Sequence, residues 1–291
     1  MTSNIDPSQL DSWLRVPVDE LEAHPQAKVK LSILAAPADV HDWVAEDMLA
    51  EVAANNAAGR PTRWILPCGP TGQYPVFCEL VNQRKVSLQN LHIFHMDDFL
   101  DWQARPLPVD HPFSFEGQMQ RVFYDRIDPE LNVPREQRHF PSVYAIDAIS
   151  EAIQRAGGID TTYAGIGYRG HLAFNEAPRS PWYTVTAEEF KASKTRILHL
   201  NEDTLIAASQ RAVGGSTHLV PPMAITLGMK DLLSAKRVRV FTETGNWKQA
   251  VVRILLFSNV TIEYPVTFLQ EHPDALLVVD TASASYPHLQ D

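Results

Sequence analysis

Short apolar runs alternate along the chain with longer segments whose apolar residues recur every three or four positions. Val29-Lys30-Leu31-Ser32-Ile33 alternates apolar with polar, the mark of a strand with one wet face, and predicts a first strand at a sheet edge. Val40, Trp43, Val44, Met48, Leu49 and Val52 then fall at helical spacing between Pro37 and Gly59, which predicts a long helix. Further strands are predicted at 64–66, 91–96, 159–164, 196–200, 224–227, 238–242 and 275–279. Helices are expected around 76–81 and over 112–127, 145–156, 203–212 and 246–257. This βα rhythm implies a single-domain α/β protein with a mostly parallel, doubly wound, Rossmann-like sheet and helices on both faces.

Proline marks where the rhythm stops. Pro17 and Pro25 break any long helix in residues 1–28, which read as an N-terminal extension packed on a domain spanning 29–291. The polar, proline-rich stretch 102–112 reads as a loop. After Glu176, Pro178 and Pro181 forbid a continuing helix, so the segment to Ala192 reads as a second loop able to cover a site.

Composition then narrows the partners. The formal net charge is −10 and no run of basic residues occurs, which argues against nucleic acid or an anionic membrane surface. No apolar run reaches the 18 residues that span a bilayer, and the first residues lack the basic and apolar regions of a signal peptide. With only Cys68 and Cys78, the chain suits a reducing compartment and is expected to be cytoplasmic. Binding an anion would require a local cation or converging N–H groups.

Four strand ends carry chemistry. The strand at 64–66 runs into Cys68-Gly69-Pro70-Thr71-Gly72 and then a helix, an arrangement that can aim N–H groups at an anion and serves equally as a tight turn. Cys68, with no histidine nearby in sequence, is read as a small wall residue. Asp97-Asp98 ends the strand at 91–96, where open α/β sheets hold their ligands. The strand at 159–164 leads into Gly165-Ile166-Gly167-Tyr168-Arg169-Gly170-His171, with Asn175-Glu176 just beyond. Lys248 follows Thr244-Gly245-Asn246-Trp247 in a first helical turn, where its charge opposes the helix dipole, which favours a phosphate as its partner. His95, Asp97, Asp98 and His171 could be read as metal ligands, but no HxxxH or paired Cys/His spacing supports that, and no metal is expected.

In order along the chain, Met96-Asp97-Asp98, His111-Pro112 with Ser114-Phe115, Gly165-Ile166-Gly167, Gly170-His171-Leu172-Ala173-Phe174-Asn175-Glu176, Ser193-Lys194-Thr195-Arg196-Ile197 and Lys248 resemble the glucosamine-6-phosphate deaminase/isomerase family. That family shares its fold with the 6-phosphogluconolactonases, and the run Ala173-Phe174-Asn175-Glu176 looks like the deaminase branch. The resemblance covers roughly residues 29 to 280. It implies an aldose-ketose isomerisation of an amino-sugar 6-phosphate with release of ammonia, and no metal or organic cofactor. His171 would open the sugar ring, Glu176 would tune its proton affinity, and Asp97 would shuttle the proton during isomerisation. Gly69, Pro70, Thr71, Gly72, Asp98, Lys248 and Arg211 would hold the sugar phosphate. A homo-oligomer is compatible with this reading.

Departures from the family pattern carry expectations of their own. Where the deaminases place an aspartate before the Gly-His pair stands Arg169, a candidate catalytic residue whose charge beside His171 would disfavour a protonated imidazole. The phosphate-binding arginine of the following helix aligns with Gln210, and Arg211 is one residue away. The lysine that follows Ile197 in allosteric deaminases is absent, implying no effector control. The rival readings are another sugar-phosphate isomerase or a lactonase, either acting on a substrate whose second acidic group pairs with Arg169, or a non-catalytic sugar-phosphate sensor. Residues 1–28 are too short and acidic to supply the DNA-binding segment that such a sensor would use.

Overall fold

The computed structural model describes residues 5–180 and 182–285; Pro181 and both chain ends, which belong to the expected loop, extension and domain, lie outside the described residues. Helices α1 (Pro7–Leu14) and α2 (Val18–Leu21) precede strand β1 (Lys30–Leu34). Asp6 caps α1 by accepting a hydrogen bond from the Ser8 N–H, satisfying a donor that the first helical turn leaves free. The segment is tied to the body: Trp13 packs against Phe257 with ring centroids 6.4 Å apart, and Arg253 donates to the Val16 carbonyl at 3.0 Å.

The chain continues through α3 (Pro37–Ala57), β2 (Thr62–Leu66), α4 (Gln73–Arg84), β3 (Leu91–His95), β4 (Asp97–Leu100), α5 (Phe115–Val122), β5 (Arg138–His139), α6 (Ala148–Ala156) and β6 (Thr161–Gly165). It then forms α7 (Ala187–Lys191), β7 (Arg196–His199), α8 (Glu202–Ala212), β8 (Met223–Thr226), α9 (Met229–Leu232), β9 (Arg237–Thr242), α10 (Gln249–Phe257), β10 (Ala275–Asp280) and α11 (Thr281–Ala284). Seven strands make one parallel sheet in the order β1-β10-β9-β6-β2-β3-β5. As its alternating pattern predicts, β1 lies at an edge.

Central strands bury both faces. In β2, Trp64 and Leu66 pack with α3 and α4 around Tyr74 and Phe77, whereas Ile65 joins the opposite core built on α6, α9 and α10. Full burial of each such side chain contributes roughly 1.5–3 kcal/mol. From β2 the chain builds outward through β3 to β5, and from β6 it builds the other way to β9. The direction reverses between β2 and β6, where an open α/β sheet leaves a crevice at its C-terminal edge.

Two predicted strands belong elsewhere. β7 and β8 do not extend the parallel sheet; with β4 they form a three-stranded antiparallel sheet in the order β4-β8-β7. Met96 is the crossing point: its N–H donates to the Leu66 carbonyl at 3.2 Å and its carbonyl accepts from the Leu227 N–H at 2.7 Å. Two helices are also shorter than the apolar spacing suggests. The first starts only at Phe115, because the Ser114 hydroxyl caps it by accepting from the Gly117 N–H at 3.2 Å. The second opens as a 3-10 turn over Gly245–Lys248 before α10 begins.

Among the described residues no helix is long and apolar enough to cross a membrane.

Candidate active site

β9, β6, β2 and β3 are successive neighbours, so the loops leaving their C-terminal ends converge on one crevice, which holds a cavity of about 460 Å³. Gly69, Asp97, His171, Arg211 and Lys248 all line it. The convergence depends on two glycines. A Cβ on Gly165 would lie 2.5 Å from the Gly69 carbonyl oxygen, so only glycine lets the first and third loops touch. A Cβ on Gly167 would stand 1.8 Å from His171 Nε2, so the imidazole occupies the space of the missing side chain.

His171 is buried, with Nδ1 3.9 Å from Glu176 Oε1. Burial, then the nearby Lys248 charge, push its pKa down to about 3 against the opposing pull of Asp203. The imidazole is therefore neutral at pH 7 and able to accept a proton. Glu176 is held by the Asn201 N–H at 2.7 Å and by the Thr204 hydroxyl; burial raises its carboxyl, and the Thr204 and Asn201 bonds lower it in part. Asn175, between these residues and wholly buried, donates to the carbonyls of Leu172 and Leu227 and accepts from Arg196 at 2.8 Å, fastening the loop to one end of the small sheet. Ala173, at φ 51, takes the left-handed turn that lets both His171 and Phe174 face the cavity.

Asp97 and Asp98 part company. As successive residues of β4 they point to opposite faces, and only Asp97 lines the cavity. Burial, then the neighbouring Asp98, raise the Asp97 carboxyl well above its ordinary value. Asp98, expected among the ligand-holding residues, instead accepts from the N–H groups of Phe99 and Phe115 at 2.8 Å and Glu116 at 3.2 Å. Burial pushes its pKa up to about 6, opposed by those three N–H donors. It braces the start of α5.

At the other end, Lys248 is buried and donates from Nζ to the Ile166 and Gly167 carbonyls, both at 2.6 Å. Burial, then Arg211, bring its pKa down to about 7, while Glu243 pulls the other way. Arg211 lies over the Trp247 ring, 5.4 Å from its centroid, whereas Gln210 is exposed and does not line the cavity. Of the expected anion loop, Gly69 lines the cavity and Pro70, Thr71 and Gly72 do not; Pro70 accepts from Gln73 and Thr71 from the Tyr74 N–H as α4 begins.

Arg169 turns away from the cavity. Its Nη2 is 2.5 Å from Glu263 Oε1, its Nε is 3.8 Å from Asp203 Oδ2, and its guanidinium lies over Tyr264. The positive charge that depresses His171 is thus Lys248, not Arg169 as its sequence position suggested. His95 also faces elsewhere, with Nε2 2.8 Å from the Tyr124 hydroxyl and its ring stacked on Phe140. Among the described residues no group of three His, Cys, Asp or Glu side chains is arranged to hold a metal ion.

Several lining residues carry no local signal in the sequence. Thr204, Gln118 and Trp247 reach the cavity from three different elements. Phe99 could have been found: it follows Asp97 by two positions on a strand and so shares its face.

Comparison with known proteins gives a consistent answer. The structure superposes on a monomeric glucosamine-6-phosphate deaminase with a TM-score of 0.74 at 24% identity, covering 88% of this chain and 98% of that one. It also matches a 6-phosphogluconolactonase from Trypanosoma cruzi with a TM-score of 0.64 at 16% identity, covering 90% and 97%. These two likenesses define the fold class, an α/β fold common to deaminases and lactonases of sugar phosphates. No family model matches the sequence. The chain is 33% identical over 260 residues to the glucosamine-6-phosphate deaminase of Cronobacter sakazakii, covering 88% of this chain and 91% of its relative. It is 34% identical over 249 residues to that of Parabacteroides distasonis, covering 84% and 86%. The chain belongs to the glucosamine-6-phosphate deaminase family.

Proposed function

We propose that the protein converts glucosamine 6-phosphate, or a closely related amino-sugar 6-phosphate, to the ketose 6-phosphate with release of ammonia. The observation that carries this reading is that a neutral, buried His171 and the buried Asp97 line one cavity with Lys248 and Arg211. The cations hold the phosphate. His171, oriented by Glu176, takes the proton of the anomeric hydroxyl and returns it to the ring oxygen, opening the pyranose. Asp97, once ionised, removes the proton from C2 and delivers it to C1. Water then adds at C2 and the nitrogen leaves as ammonia.

The family's Ala173-Phe174-Asn175-Glu176 run favours the deaminase branch over lactone hydrolysis. The pairing of Arg169 with Glu263 speaks against the ligand-binding role on which the isomerase and lactonase rivals drew. The reading takes a sugar phosphate as the partner, uses no organic cofactor, and is set in the cytoplasm, in keeping with two free buried thiols. Millimolar glucosamine 6-phosphate and its galacto epimer, assayed for both ketose phosphate and ammonia, test it. Formation of neither product from either sugar defeats the reading.

A further inference from the structure

The lining of the cavity is mixed: Asp97, His171, Gln118, Thr204, Arg211 and Lys248 bring polar groups to it, while Phe99, Phe113, Phe115, Phe174, Ala208 and Val213 form an apolar wall. Phe99 is the centre of an aromatic cluster, with ring centroids 5.3 Å from Phe113, 5.1 Å from Phe115 and 5.0 Å from Phe174. None of the six wall side chains can donate or accept a hydrogen bond. A hydroxyl pressed against them without a partner loses roughly 1–3 kcal/mol. The wall therefore does not suit the hydroxyl-rich body of a bare hexose phosphate, and the cavity of about 460 Å³ has the size of an ordinary small-molecule site.

The wall adjoins the proposed reacting groups. Phe99 shares a face of β4 with Asp97, two positions before it, and the Phe174 ring lies 6.4 Å from the His171 imidazole. The two groups proposed to act at C1 and C2 thus border the apolar surface, and of the substituents on those carbons the nitrogen on C2 is the one that can carry a further apolar group without blocking ring opening.

We propose that the wall is a subsite for an apolar group carried on that nitrogen, so that N-alkylated amino-sugar phosphates are substrates. The inference rests on the deaminase reading and deepens it. Chemically the step is unchanged: water adds to C2, the C2–N bond breaks, and the nitrogen keeps the bonding pair and gains a proton. The products are the ketose 6-phosphate and a primary alkylamine in place of ammonia. No oxidant or reductant enters.

The test is a series of glucosamine 6-phosphate and its N-methyl, N-propyl and N-pentyl derivatives, measured for Kd by calorimetry and for kcat/KM by ketose 6-phosphate and amine release. Each added methylene is expected to tighten binding about threefold to fourfold until the subsite is filled. The slope should vanish in Phe113→Asn or, if that variant does not fold, in Val213→Asn. Flat or falling affinity with chain length, while the unsubstituted sugar is still turned over, overturns the subsite and leaves the deaminase reading standing. Rising affinity along the series with no turnover of any member supports the subsite and defeats the deaminase reading. Binding by no member overturns both.

Discussion

Arg169 Nη2 meets Glu263 Oε1 at 2.5 Å, joining residues 94 positions apart and turning the guanidinium away from His171. The arginine that occupies the family's aspartate position is therefore a clasp between two loops. Partly exposed ion pairs of this kind are worth up to about 1 kcal/mol. Arg169→Ala should lower stability in urea by roughly that amount and leave kcat/KM within about threefold. Arg169→Asp, which sets a carboxylate against Glu263 and Asp203, should cost more stability. A loss of activity beyond about a hundredfold in a folded Arg169→Ala would return this side chain to the chemistry.

The proposed role of Lys248 makes phosphate binding depend on pH. Only its protonated form attracts the phosphate, and in the empty site its pKa is about 7. Binding an anion raises that value, so affinity should be full below about pH 7 and fall as pH rises above it. Lys248→Ala removes a charged hydrogen bond, with an expected loss of roughly 10- to 150-fold in affinity. A Kd for the sugar phosphate that does not change from about pH 6 to 9 would exclude Lys248 from phosphate binding.

Asp97 must ionise to act as a base, and burial raises its pKa. Activity should therefore climb with pH on the acid side and decline above about 7 as Lys248 loses its proton, a bell-shaped profile. Asp97→Asn should reduce kcat by about 10²- to 10⁴-fold while sugar-phosphate binding remains measurable. The same change should raise the melting temperature at neutral pH. A carboxyl whose folded pKa is raised loses stability as pH climbs through its unfolded value, and asparagine never ionises. Near-normal turnover in Asp97→Asn removes the residue from the mechanism.

Gly167→Ala tests the position of the imidazole. The added methyl would fall 1.8 Å from His171 Nε2, so the ring must move. A displacement near 1 Å costs about a hundredfold in rate. The expected result is a protein with near-parental circular dichroism and a kcat lowered by about that factor, and an unaltered kcat would mean that His171 need not sit where it does.

Much of this architecture is legible in residue patterns. The clean alternation of Val29 to Ile33 placed β1 at an edge, and the spacing of Val40 to Val52 gave α3 nearly to its ends. The small antiparallel sheet was not legible, because a four-residue apolar strand reads alike whether its neighbour runs parallel or antiparallel. Asp98 shows a different gap. Two adjacent acids look equivalent in sequence, yet on a strand they cannot face the same way, so one was bound to serve the scaffold. The fate of Arg169 was beyond local reading: its partner Glu263 lies on a distant turn, and nothing near Arg169 in sequence announces it.

Met96 bonds to one sheet through its N–H and to the other through its carbonyl, and Asp97 comes next. A door swings widely at its handle and scarcely at its hinge. Any tilt of the small sheet against the large one would carry Phe99 through the larger arc, while Asp97 stays close to the pivot. Asp97 is thus placed where both sheets hold the chain, and the proposed base is the part of β4 that such a tilt would disturb least.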